Sequence, residues 1–188
     1  MRSTTGRAPR GAGALLLACF LAGLAGCGDD ADALTPTTID VVGVDYAFEG
    51  LPDELAAGSE IVFRNESEVE VHEFVALRLD DGDDRSAAEL LALPPDQLGP
   101  MLGGASSVII APPAADGTAT DGFVVEGTAT LDDPGRYVIF CLIPTGADPE
   151  AYLAAAAEAE GGPPDVPGGP PHAVEGMVAE LVVRAASG

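Results

Sequence analysis

Pro134-Gly135-Arg136-Tyr137-Val138-Ile139-Phe140-Cys141-Leu142-Ile143-Pro144 is the stretch on which the fold turns. Asp132-Asp133-Pro134-Gly135 reads as a turn, and Arg136 to Leu142 as a strand that ends at a cysteine. Upstream, Thr38 to Tyr46, Ile61 to Asn65, Val69 to Leu79, Val108 to Ile110, Phe123 to Val125 and Gly127 to Leu131 carry the same β-branched and aromatic character. Within the third of these, Val69, Val71, Val75, Leu77 and Leu79 share one parity, while His72, Phe74 and Ala76 face the other way. Downstream, Val178 to Val183 closes the series. Ser86 to Leu93 reads as a short helix capped by Ser86 and stopped by Pro94-Pro95, with a further turn over Asp96 to Leu102. Leu51 to Gly58 and Ala111 to Gly122 read as connections. Many short strands with turn signals and little long helix predict an all-β sandwich.

The N-terminus is of a different kind. Arg2, Arg7 and Arg10 precede an apolar run from Ala12 to Ala25, too short for a comfortable membrane span. The run ends in Leu24-Ala25-Gly26-Cys27, which resembles a bacterial lipobox. The resemblance implies a lipoprotein signal peptide over 1–26, cleavage before Cys27 and lipid attachment to its sulfur. Two acyl chains would anchor the protein stably on the extracytoplasmic face of the cell membrane. Residues 27–36 read as a flexible acidic tether and 37–188 as one domain.

With Cys19 in the leader and Cys27 lipidated, Cys141 has no disulfide partner. An unpaired cysteine in an exported protein is a liability unless something occupies it, and metal binding is the economical answer. The two histidines of the chain are His72 and His172, and Met177 follows the second by five positions. Two imidazoles, one thiolate and a weak thioether make the ligand set of a blue-copper electron-transfer site. Zinc could use the same cysteine and histidines, but a thioether suits it poorly. The Asp80-Asp81-Gly82-Asp83-Asp84 run lacks the spacing and distal glutamate of an EF-hand.

Gly58-x-x-Ile61-x-Phe63-x-Asn65, then His72, Pro134-Gly135-x-Tyr137-x-x-x-Cys141 and His172-x-x-x-Gly176-Met177 together resemble the cupredoxin family of plastocyanin-like and azurin-like proteins. The resemblance covers most of residues 38 to 188 and implies a Greek-key β-sandwich holding one type 1 copper. His72, Cys141 and His172 would be equatorial ligands and Met177 the axial one. Two departures stand out. Cys141 and His172 lie 31 positions apart, where the family has a few; removing 145–170 restores a family-like loop. That insertion reads as a helix over Ala151 to Glu160, with Asp148 as cap and Pro149 at the first position, covering the site through Tyr152, Leu153, Ala156 and Ala157. The other departure is Glu73, where plastocyanin-like and azurin-like members usually place an asparagine that stiffens the site. Asn65 is expected to bond the backbone near His72, and Met101 to pack beside Leu98 and Leu102.

The leader takes three of the eight basic residues and no acidic one, leaving five against 31 and a net charge of −26, with no lysine anywhere. Phosphates need cations, so nucleic acid is excluded as a partner. An anionic membrane surface would also repel the chain, so anchoring falls to the lipid. Steering favours a basic redox protein. The expected function is a membrane-tethered carrier passing single electrons, with the His172 edge as the exchange face. A copper-binding or delivery module without electron transfer is the second reading. Oxidase or nitrite reductase chemistry would need histidines for a second copper, and none remain once two are committed.

Overall fold

The computed structural model describes residues 34–159 and 163–187. The leader, Cys27 and residues 28–33 of the tether lie outside the described residues, as does Glu160, the expected end of the insertion helix. Eleven strands are described: β1 Thr38–Val44, β2 Ala47–Glu49, β3 Glu54–Ala56, β4 Ser59–Asn65, β5 His72–Arg78, β6 Ser107–Ala111, β7 Thr120–Asp121, β8 Phe123–Gly127, β9 Thr130–Leu131, β10 Gly135–Phe140 and β11 Val178–Arg184. Four helical segments accompany them: α1 Ala87–Leu91, α2 Pro95–Leu102, α3 Pro149–Glu158 and α4 His172–Glu175.

The strands form two sheets. One runs β2-β1-β4-β7, with β9 also paired to β4; the other runs β3-β11-β10-β5-β6-β8. The β1–β4 and β3–β11 pairs are parallel and the remaining pairs antiparallel. In the second sheet β10, β5, β6 and β8 stand in the order 4-1-2-3 of a Greek key. The all-β sandwich expected from the strand pattern is the architecture observed.

β5 lies between β10 and β6 and is buried on both faces, which explains its near-continuous apolar text. Phe74 and Ala76 enter the core between the sheets, with Val41, Phe63, Ile109, Tyr137, Ile139 and Leu181. Val75, Leu77 and Leu79 face a second core closed by Leu90 of α1 and Leu102 of α2, with Val138 and Phe140 from β10. The two parities of the segment thus serve two cores, Val71 excepted, because the chain bends before β5 begins. The strand expected from Val69 starts only at His72, and Val69 is 70% exposed.

Other boundaries shift for local reasons. Pro94-Pro95 does not end helical structure. Pro95 opens α2, where a missing N–H costs nothing. Two short strands, β3 and β7, occupy stretches expected as connections, because an edge position beside a longer strand recruits even two or three residues. Phe123 to Leu131 is divided between the sheets, β8 in one and β9 in the other. Just before β8 the chain crosses between sheets at Gly122, whose N–H bonds the carbonyl of Phe63 at 2.8 Å. A Cβ there would stand 2.9 Å from Ile109 Cγ2 and 3.0 Å from that same carbonyl oxygen, so only glycine fits the crossing.

Candidate metal centre

Three of the four sequence-derived ligands come from the ends of strands or the loop between them. His72 opens β5, Cys141 follows the last residue of β10, and His172 begins the one-turn α4. Antiparallel pairing of β5 with β10, with Val75 opposite Phe140, brings the start of one strand beside the end of the other. Ahead of His72 the chain is held by Asn65. Its Nδ2 donates to the carbonyls of Glu70 at 2.8 Å and Ala111 at 3.1 Å, and its Oδ1 accepts from Ser67 N at 2.8 Å. This is the backbone-bonding role expected of Asn65.

The 31-residue separation of Cys141 from His172 is closed at its neck. Pro144 and Pro171 form a bridge, Thr145 N donates to Pro170 O at 2.9 Å, His172 N to Ile143 O at 2.9 Å, and Ala173 N to Cys141 O at 2.7 Å. The detour therefore leaves from and returns to adjacent points, and His172 ends beside Cys141. His172 opens the one-turn helix α4. The short helix that carries it places its N–H and C=O in these bonds, with Met177 N donating to His172 O at 3.0 Å.

The donor atoms face one another. Cys141 Sγ lies 3.2 Å from His172 Nδ1 and 4.0 Å from His72 Nδ1, and the two Nδ1 atoms are 3.2 Å apart. His72, Cys141 and His172 have no exposed surface. Three ligand atoms spread in a plane about 2.0–2.3 Å from a metal would stand roughly 3.5 Å apart. The observed spacings straddle that value. Met177 is also fully buried. A Cβ built on Gly43 would stand 3.1 Å from both Met177 Cε and the His72 ring atom Cδ2, so the thioether arm and that imidazole lie against the same glycine.

The electrostatics of the pocket suit a cation. Burial, and then the neighbouring His172, push His72 down to about 3, so its imidazole is neutral with a lone pair free. Burial lowers His172 as well, against the pull of Glu70. Burial, and then the charge of Glu73, push the Cys141 thiol well up, so a thiolate here needs a metal to hold it. One N–H, from Glu73, reaches Sγ at 3.4 Å. The three donors, two imidazole nitrogens and one thiol sulfur, could hold one metal ion of the kind that takes nitrogen and sulfur ligands.

Several neighbours of the donors carry no local sequence signal. Tyr46 packs its ring 4.9 Å from that of His172, and Glu70 Oε2 lies 3.5 Å from His172 Nε2, within ion-pair range but outside hydrogen-bond geometry. The His172 ring is thus buried beneath Tyr46 and Glu70. Glu70 sits in an acidic run, Glu66 to Glu70, whose text does not separate it from surface acids. Glu73 is 3% exposed and accepts from Leu142 N at 2.8 Å through Oε1 and from Tyr152 Oη at 3.0 Å through Oε2. Burial raises it to about 7, with those two donors pulling the other way. Tyr152 thus bonds as well as packs. Leu153 and Ala156 do pack on the core, but Ala157 is exposed.

No family model matches the chain, and no curated protein matches it. Solved structures do. Auracyanin A, a "blue" copper protein from the green thermophilic photosynthetic bacterium Chloroflexus aurantiacus, is 19% identical over 79% of this chain and 99% of its own, with a TM-score of 0.38. Auracyanin B is 18% identical over 81% and 95%, with a TM-score of 0.37. A dithionite-reduced auracyanin from the photosynthetic bacterium Roseiflexus castenholzii is 21% identical over 80% and 98%, with a TM-score of 0.34. The protein itself has a two-sheet β architecture in which the donor atoms of His72, Cys141 and His172 cluster.

Proposed function

We propose that the protein is a type 1 copper electron carrier, tethered to the outer face of a membrane by lipid at Cys27 and exchanging single electrons with a basic protein partner. One observation carries the redox reading: a buried thiol sulfur and two buried Nδ1 atoms lie within 4.8 Å of one another. Copper bound there would supply a one-electron couple, and the thiolate would supply its electronic coupling. The chain's own part is rigidity. His72 is fixed by β5, Cys141 by β10 and the Glu73 N–H, and His172 by three backbone bonds at the neck of the insertion. Little rearrangement between oxidation states is what fast electron exchange requires.

Full burial of the donors weighs against a delivery module, which needs ligands open to exchange. The test is Cu(II) addition to the chain from residue 27 onward. Intense visible absorption and a reversible one-electron wave are expected, and Cys141→Ser should lose both. A colourless, redox-silent copper complex would sink the electron-carrier reading. Membrane partitioning of the full chain, compared with Cys27→Ser, tests the tether.

A further inference from the structure

Two glutamates flank His72 in sequence, Glu70 and Glu73, and each joins a metal ligand to the inserted segment 145–170. Glu70 accepts from Gly146 N through both oxygens, at 3.0 and 3.2 Å, while its Oε2 stands 3.5 Å from His172 Nε2. Glu73 accepts from Tyr152 of α3 and from Leu142, the residue after the thiolate ligand, while its own N–H reaches Cys141 Sγ. We propose that Glu70 and Glu73 are positioning residues that fasten the insertion to the metal ligands, and that the insertion thereby holds His172 and Cys141 in place rather than merely covering them. The copper reading above underlies this inference.

A neutral imidazole bears one proton. A metal held by His172 Nδ1 would leave the proton on Nε2, and that atom has no hydrogen-bond partner among the described residues. Glu70 is the carboxylate beside it, placed to orient the ring as ligating histidines are commonly oriented by an acceptor on their outer nitrogen. Glu70 is itself fixed, because Gly146 occupies it. On the other side of the site both oxygens of Glu73 are taken, one by the backbone next to Cys141 and one by the tyrosine. Tyr152 is the one buried residue of α3. A simple cover could dock by a leucine at that position. A phenol bonded to a buried carboxylate is an expensive way to dock a helix unless its direction matters.

The experiment uses the chain from residue 27, with Tyr152→Phe and Glu70→Gln. In the metal-free protein, Tyr152→Phe removes the bond that holds Glu73 Oε2, and the loosened carboxylate should let the Leu142 amide on Oε1 exchange with solvent about tenfold faster, the equivalent of one lost hydrogen bond. Glu70→Gln should do the same at Gly146. In the copper-loaded protein both should remain folded and blue. Tyr152→Phe should shift the thiolate absorption band and slow electron self-exchange. Glu70→Gln should raise the midpoint potential, since a lost negative charge no longer favours Cu(II), and Glu70→Asp should restore part of the shift. Wild-type spectra, potentials and amide exchange in both variants, with only a lower Tm, would overturn the proposal. If Tyr152→Phe does not fold, Glu70→Gln and the Gly146 amide decide it. A wild-type protein that is not blue would defeat the copper reading instead, and the metal-free amide exchange would still judge the fastening.

Discussion

At the scale of single residues, the site depends on small side chains as much as on ligands. Gly43 of β1 faces both His72 and Met177, and an added Cβ would meet atoms of each at 3.1 Å. That is tighter than ordinary contact, so one of the two must give. Gly43→Ala is expected to destabilise the protein by about 1–3 kcal/mol, as overpacking of a filled core does. It should also move the thiolate absorption band, because the crowded groups are proposed ligands. Denaturant unfolding with parallel visible spectra checks both effects; an unchanged band would mean that Met177 alone yields and does not touch the metal. Glu73 shows a complementary case. Burial raises it to about 7, and the bonds from Leu142 and Tyr152 offset part of the cost of a carboxylate there.

At the scale of elements, the loop after β5 is anchored by ions rather than by packing. Asp83 accepts from Arg85 Nε at 2.9 Å, and Arg136 Nη1 donates to the Asp83 carbonyl at 2.9 Å, which ties the loop to β10. The Arg85 guanidinium holds the Asp83 carboxyl down to about 2, below the 3.8 of a free aspartate. A lowered carboxylate pKa adds stability above the unfolded value and loses it as pH falls through the folded one. The pair should therefore contribute above pH 3.8 and fade toward pH 2. Urea titrations between pH 5 and 2 should show wild type losing more stability than Asp83→Asn over that window. Parallel slopes would mean that the pair is idle. Helix α1 begins just beyond, with Ser86 and Glu89 capping each other reciprocally.

At the scale of the whole molecule, charge and metal dominate. Each of the five arginines in the described residues is paired with an acidic side chain, so the acidic excess faces solvent without a free arginine to interrupt it. Association with a basic redox partner should slow steeply as salt rises, because the attraction is screened within about 8–10 Å. Stopped-flow rates at several ionic strengths measure this, and a flat profile would remove steering from the account. On the proposed reading, copper would bind the folded state through donors brought together only there. Chelation should accordingly lower Tm, and restored Cu(II) should recover it, with the gain growing with free metal. No helix among the described residues is long and apolar enough to cross a membrane.

The sequence by itself determined most of the strand series, the all-β class and three side chains that cluster, His72, Cys141 and His172. These follow from local properties: β-branched runs, turn residues, two histidines, and one cysteine left without a partner. Parity in the segment around His72 even foretold that its neighbours serve opposite faces. Only the tertiary structure decided that residues 72, 141 and 172 meet, since their approach depends on β5–β10 register and on a neck of backbone bonds closing a 26-residue detour. It alone distinguished Glu70 and Glu73 from the other acids, and Tyr152 from a packing residue. Their roles arise from burial and from partners 76 and 79 positions away, and no local pattern in the chain encodes contacts at that separation.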